Sequence, residues 1–180
     1  LGVVISQSLS WHAQASRTGK AVNSMIGTLN RFGSTLNTDA RRRIANAFII
    51  PKLTYALPVW GWLGKTDEGA LDHAIQRCAR VVLNNRNAVL DSSTYTATSL
   101  LPFSQLASLR SAGRVHQLLD TDSPTDYLPP LMIPTGSQRI TRNATGRKFL
   151  IPAHKTSAVI LCFTYMAAKY WNALPQTATE

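Results

Sequence analysis

The apolar residues of this chain recur at intervals of three and four, and this spacing constrains the fold more than any other feature. The clearest stripe is Leu71, Ile75, Cys78, Ala79 and Val82, at positions i, i+4, i+7, i+8 and i+11. An α-helix has 3.6 residues per turn, so these positions share one face and the polar residues between them point away. The spacing predicts an amphipathic helix over 71–82.

Four more stripes predict further helices. A helix cannot pass through Pro51 unchanged, because proline lacks an N–H and its ring clashes with the preceding turn, so we expect a kink or a split there. Pro175 ends the last stripe. Together the stripes predict a mainly α fold, a helical bundle. They run from Val22 to Phe32, from Ile44 to Tyr55, from Leu101 to Leu119 and from Val159 to Leu174.

Two segments depart from the helical pattern. Residues 1–5 form a short β-branched run, which predicts a strand belonging to a hairpin. Residues 120–157 contain five prolines and scattered polar residues, which predicts an irregular linker before the final helix. The kink at Pro51 and this linker favour two sub-bundles, 1–65 and 66–180. Because residue 1 falls within the predicted strand, we also expect the chain to be a segment of a longer polypeptide.

The charge is strongly basic and unevenly spread. Lys and Arg number 19 against nine Asp and Glu, a net charge of +10. Residues 1–63 carry +6 and residues 139–180 carry +5, whereas the middle is close to neutral. Such an excess favours an anionic partner, most commonly nucleic acid. No apolar run approaches the roughly 18 residues of a spanning helix. The two isolated cysteines favour a reducing, intracellular compartment.

The basic residues of the two ends are the candidate nucleic-acid contacts. Arg41-Arg42-Arg43 is the densest cluster, and three successive helical residues fan over about 200°, so at least two can reach a phosphate backbone. The alternative is a solvated face whose Arg stems cover apolar surface. The basic residues after position 138 belong either to a flexible RNA-binding tail or to a soluble linker. Beside the three arginines, the candidates are Arg17, Lys20, Arg31, Lys52, Arg139, Arg142, Arg147 and Lys148.

No residue pattern predicts a catalytic or metal centre. Two-metal phosphoryl transfer needs carboxylates gathered around the ions, whereas Asp39 reads as a helix cap and Asp67, Glu68 and Asp72 fit the start of a helix. The four histidines are scattered without metal-ligand spacing. Trp60 and Trp171 lie among apolar neighbours and are expected to pack in the core.

Five short motifs occur in a fixed order along nearly the whole chain. They are Leu1-Gly2-Val3, the P-x-L-x-Y-(G/A) segment over 51–56, Val59-Trp60, an Ile-Gln-Arg helix beginning at Ile75, and A-x-x-x-W-N-x-L-P over 167–175. This succession resembles the region that follows the catalytic palm in reverse transcriptases of non-LTR (LINE-like) retrotransposons, and the last motif is typical of jockey-like elements.

The resemblance implies a role in holding nucleic acid. In that family Leu-Gly lies in the hairpin that holds the primer terminus, which makes Gly2 a candidate contact, and the following helices form the thumb. The family's Ala-Asp-Asp motif is absent here, so the palm and its Mg²⁺ are expected upstream in the same polypeptide, and this segment is not catalytic alone. The implied partners are the RNA template and an RNA/DNA or DNA duplex, in a nuclear or cytoplasmic ribonucleoprotein.

Two other functions remain compatible with the sequence. The first is a decayed or co-opted helical module that binds proteins and not nucleic acid, its basic charge being inherited. The second is a peripheral membrane binder, which requires Lys and Arg around a broad exposed apolar face. The observed stripes have the width expected for core packing, so the membrane function is the less favoured of the two.

Overall fold

The chain is mainly helical, as the apolar spacing predicts. A computed structural model describes residues 2–8, 10–33, 35–120, 149, 151, 153 and 163–175. The helices are α1 (His12–Arg31), α2 (Thr38–Ile44), α3 (Ile50–Thr54), α4 (Leu57–Trp60), α5 (Lys65–Leu83), α6 (Ser92–Thr98), α7 (Phe103–Asp120) and α8 (Phe163–Asn172), and a π-helical turn, Ala45–Ile49, joins α2 to α3.

The chain divides into two compact units, Leu1–Ala107 and Ser108–Glu180. The predicted boundary at residues 65 and 66 falls inside the first unit, because α5 packs against α1. The whole apolar stripe predicted for α5 is buried, together with the inner face of α1. The predicted linker over 120–157 lies almost entirely outside the described residues.

Residues 2–6 do not form the predicted strand and have no regular secondary structure. The backbone N–H of Val4 donates to the side-chain Oε1 of Gln14 on α1, at 2.9 Å, and so has a side-chain partner where a strand would offer a main-chain one. Gln14 is itself buried and donates to Thr18 Oγ1 at 3.2 Å. These bonds tie the N-terminal segment to α1.

The helix predicted over 44–55 contains a π-helical turn, Ala45–Ile49, followed directly by α3. Pro51 stands in the first turn of α3, where a missing N–H costs little. A π turn closes through i→i+5 hydrogen bonds and so changes which side chains face the core. The core face runs through Ala45, Ile49 and Leu53. Phe48 and Tyr55, which the 3.6-residue spacing places inside, are exposed.

A tight connection follows α3 and is held by Trp60. Ala56 adopts a left-handed backbone conformation, φ 51°, which glycine adopts without strain and alanine at a cost. The Trp60 ring is fully buried, lies 5.9 Å from Phe103 between ring centroids, and donates from Nε1 to the Tyr55 carbonyl at 2.8 Å. A Cβ on Gly61 would meet the Leu57 carbonyl oxygen at 2.6 Å, so only glycine fits there.

Carboxylates cap two helices of the first unit. The Asp72 side chain accepts from the backbone N–H of Phe103, at 2.6 Å, at the start of α7. Asp91 is the N-cap of α6, a helix that the apolar spacing does not predict. Its carboxylate accepts from the backbone N–H of Thr94 at 2.8 Å, and this bond lowers the pKa of Asp91.

The second unit has its own small core. Val115, Phe149, Ala167, Ala168 and Trp171 are buried together, with the rings of Phe149 and Trp171 in edge contact. The Asn172 side chain accepts from the Phe149 N–H at 2.9 Å and donates to the Phe149 carbonyl at 2.8 Å. The Trp-Asn pair therefore anchors residue 149 to α8.

Candidate nucleic-acid interface

A groove in the first unit brings together three of the predicted contacts, Gly2, Arg17 and Lys52. It has a volume of about 470 Å³. One wall is the first half of α1, and the other is formed by the π-helical turn, α3 and Tyr55. Arg17 and Lys52 are 35 positions apart in sequence, and they share this groove because α1 packs against the π-helical turn and α3.

The groove is basic and has no acidic lining residue. Within the described part of the chain, no carboxylate forms an ion pair with Arg17 or Lys52. Both residues are exposed. Their charges are therefore available to an anionic ligand.

Gly2 lies at the groove because the N-terminal segment is tied to α1 through Gln14. Its φ is +78°, a conformation that side-chain-bearing residues rarely adopt. A Cβ there would lie 3.6 Å from the Tyr55 ring. Gly2 and Tyr55 belong to two of the five motifs, and the fold places them side by side.

Lys20 and Arg31 extend the positive surface along α1. At 100° per residue, Arg17, Lys20 and Arg31 fall within an arc of about 60° and span about 21 Å of helix axis. All three are exposed, on the side opposite the buried stripe of Val22, Ile26 and Leu29. With Lys52 they form what we call the basic face: Arg17, Lys20, Arg31 and Lys52.

The three consecutive arginines of α2 lie in different surroundings. Arg41 is only 5% exposed and donates to the Asn37 carbonyl at 3.4 Å and to the Val81 carbonyl at 3.3 Å. Val81 is in the last turn of α5, where a cation is favoured, and its carbonyl also accepts from the Asn84 backbone N–H at 3.2 Å. The Arg41 guanidinium is therefore held at the end of α5, and its contact with phosphate stays a prediction.

Arg42 and Arg43 share one carboxylate. Asp39 accepts from Arg42 Nη2 and, at 3.0 Å, from Arg43 Nε. The Arg43 side chain is 81% exposed, so this pair is weak and open to solvent. Asn37, not Asp39, caps α2, its Oδ1 accepting from the Ala40 N–H at 2.8 Å. The basic residues predicted after position 138 (Arg139, Arg142, Arg147 and Lys148) lie outside the described residues.

Two aromatic side chains of the groove were not among the predicted contacts. Phe48 is 63% exposed and Tyr55 is 52% exposed, and both line the groove with Lys52. The predicted helical spacing assigns them to the core, whereas Phe48 lies in the π-helical turn, Tyr55 follows α3, and both are exposed. Pro51, three residues after Phe48, was the available signal that the regular spacing would fail.

No family model, curated protein or solved structure matches this chain. In the part of the chain that the structure describes, no helix is long and apolar enough to cross a membrane. The same residues include no group of three or more His, Cys, Asp or Glu side chains able to hold a metal ion.

Proposed function

We propose that this chain is the thumb and following region of a non-LTR retrotransposon reverse transcriptase, and that it grips the template–primer duplex through the basic face. The groove where Gly2, Arg17 and Lys52 meet carries the proposal, because its cations are accessible and lack carboxylate partners. The contacts are to phosphates and not to base edges, as copying any sequence requires.

The placement of motif residues supports the same function. Gly2 lies against Tyr55, and Ala56 has the left-handed conformation that explains a Gly-or-Ala pattern at this position. The same segment supplies Lys52 to the groove. A shared motif that shapes a basic groove is expected of a surface that holds the primer.

Catalysis is assigned to another part of the polypeptide. The resemblance places the Ala-Asp-Asp motif and its Mg²⁺ in an upstream palm, and the proposal follows it in giving the present chain no catalytic step. The proposed setting is an intracellular ribonucleoprotein, in which this chain contacts the RNA template and the palm and fingers of the same polypeptide.

The test measures binding of the full chain to an RNA/DNA duplex by fluorescence anisotropy over a range of salt concentrations. Four neutralised phosphates give a log–log salt slope of about −4. The double variant Arg17→Gln with Lys52→Gln removes two phosphate contacts, so we expect the salt slope to become shallower, about −2.

The matched control is Arg42→Gln with Arg43→Gln, which removes the same two charges from side chains that Asp39 already pairs. We expect its slope to stay within about one unit of wild type. Equal slopes for the two double variants would refute the groove as the duplex site and indicate binding by net charge alone.

A second candidate function, binding of a protein partner, is favoured by a different surface. A mainly apolar pocket of about 430 Å³ lies between the end of α1 and the π-helical turn. Phe32 and Phe48 line it and are both more than half exposed. If the chain is a protein-interaction module, wild type shows no salt-dependent duplex binding.

A further inference from the structure

Phe48, Lys52 and Tyr55 form an aromatic–cation–aromatic stripe along one wall of the groove. They stand at i, i+4 and i+7, spanning about 10 Å at 1.5 Å per residue. All three are exposed, and Arg17 stands on the opposite wall. The groove thus offers two ring surfaces with a positive charge between them and another facing them.

Exposed aromatic side chains next to cations are the surfaces on which proteins stack nucleic-acid bases. Phosphate contacts involve Arg17 and Lys52, whereas the exposed faces of Phe48 and Tyr55 offer an apolar surface. Within a duplex the bases already stack on one another, so only its end faces are open to an aromatic side chain. An unpaired base has both faces available.

The groove has room for a ligand of nucleotide size. Ala21 and Ala47 line it with small side chains. Its volume of about 470 Å³ lies in the range of pockets that hold small molecules. A duplex lies across such an opening, whereas a single unpaired nucleotide enters it.

We propose that this groove binds an unpaired nucleotide of a single strand, its base stacked on Phe48 or Tyr55 and its phosphates held by Lys52 and Arg17. This inference rests on the proposed function and adds the ligand class. The basic face holds the duplex, and the groove binds an unpaired nucleotide of a strand that has left the duplex. Stacking tolerates any base, so the site has no sequence preference.

The experiment compares three labelled probes with the full chain: an oligouridine strand, an abasic strand of equal length and charge, and a blunt RNA/DNA duplex. Anisotropy at one salt concentration gives the affinities. Base stacking predicts that oligouridine binds wild type between about 5-fold and about 150-fold more tightly than the abasic strand.

The variants separate stacking from charge. We expect Phe48→Ala with Tyr55→Ala to abolish the preference for oligouridine over the abasic strand, since the two strands carry equal charge and neither substitution changes the charge of the groove. Phe48→Leu with Tyr55→Leu keeps apolar volume without aromatic faces and should lose the same preference. Ala47→Leu adds bulk to the groove without adding a charge or an aromatic face, and it should weaken the binding of oligouridine alone.

Phe32→Ala is the matched control, since Phe32 is 58% exposed but does not line the groove. We expect it to leave all three affinities unchanged. Unfolding midpoints in urea establish that each variant is folded.

The outcomes distinguish the two proposals. Duplex binding with a steep salt slope but equal affinity for oligouridine and the abasic strand would overturn the stacking site and leave the duplex function standing. Equal losses for all three probes in the double alanine variant would also overturn it, because the rings would then act by shaping the groove. Absence of binding to every probe would refute both.

Discussion

The arginine run of α2 and the cations of the groove differ in their exposure and in their pairing with carboxylates. The run is the densest positive charge in the sequence, yet Arg41 is buried against main-chain carbonyls and Asp39 pairs with Arg42 and Arg43. Arg17 and Lys52 are far apart in sequence, yet they meet in one groove with no paired carboxylate among the described residues. Density of charge along the chain is a poor guide to available charge.

The geometry of a helix explains the difference. Consecutive helical residues are turned by 100°, so a run of three cannot present one surface, and one of the three faces the interior. A buried guanidinium is stable only with hydrogen-bond partners, and the carbonyls of Asn37, before α2, and Val81, in the last turn of α5, provide them. Residues three, four or seven positions apart share a face, as on the exposed side of α1.

The largest expected effect is on stability, and it distinguishes the members of the arginine run. Arg41→Ala removes two hydrogen bonds from a charged donor and uncovers the end of α5, so we expect a loss of about 1.5–3 kcal/mol in the free energy of unfolding. Arg43→Ala breaks an exposed pair and should cost less than about 0.5 kcal/mol. Urea unfolding at 25 °C measures both.

Arg41→Lys supplies the further control, because it keeps the charge but not the planar fork of donors. We expect a stability between that of Arg41→Ala and wild type. If Arg41→Ala and Arg43→Ala lost equal stability, the structural role of Arg41 would be refuted.

The next effect concerns Cys78, which is buried in α5, the helix whose end Arg41 closes. Burial raises the pKa of the Cys78 thiol to about 12 from its ordinary value of 9.0, so alkylation by iodoacetamide near pH 8 should be slow in the folded chain. In a Cys162→Ser background, Arg41→Ala should speed alkylation about 10-fold to 150-fold, matching its loss of stability at 1.36 kcal/mol per tenfold.

The same thiol gives a pH dependence of defined sign. Its pKa is higher in the folded than in the unfolded chain, so the stability it contributes is present below about pH 9 and is lost as pH rises towards about 12. Cys78→Ala removes this dependence, and comparing its urea midpoint with that of wild type across this range checks the sign. A constant difference between the two midpoints would contradict the burial of Cys78.

The sequence predicts the helices better than it predicts their exposed faces. The stripe over 71–82 is buried as the 3.6-residue period requires, and Trp60 and Trp171 pack in the cores. Each wrong prediction has a local cause that the spacing of apolar residues does not reveal. Phe48 is exposed within the π-helical turn, Gln14 accepts a hydrogen bond from the backbone of the segment predicted as a strand, and α6 is capped by Asp91.

The candidate site was predicted in part for the same reasons. Charge and helical spacing identify four surface cations, because charged residues that fall outside the apolar stripe of a helix face solvent. They are Arg17, Lys20, Arg31 and Lys52. That Arg17 and Lys52 share a groove depends on the packing of α1 against α3, which no local pattern encodes. That Arg41 turns inward depends on the end of α5, 40 residues further on.

The smallest effect tests whether pairing alone keeps Arg42 and Arg43 from contributing to binding. Asp39→Asn removes the carboxylate that both share, and an exposed pair is worth about 0.2–1 kcal/mol, so we expect duplex affinity to rise no more than about five-fold, with a steeper salt slope. Asp67→Asn is the matched control: it removes one acidic charge from the first turn of α5, where Asp67 pairs with His12. If both variants raised affinity equally, net charge would explain the gain, and the contrast between paired and available cations would fail. A gain confined to Asp39→Asn would mean that pairing with this one carboxylate is what keeps Arg42 and Arg43 from contributing to duplex binding.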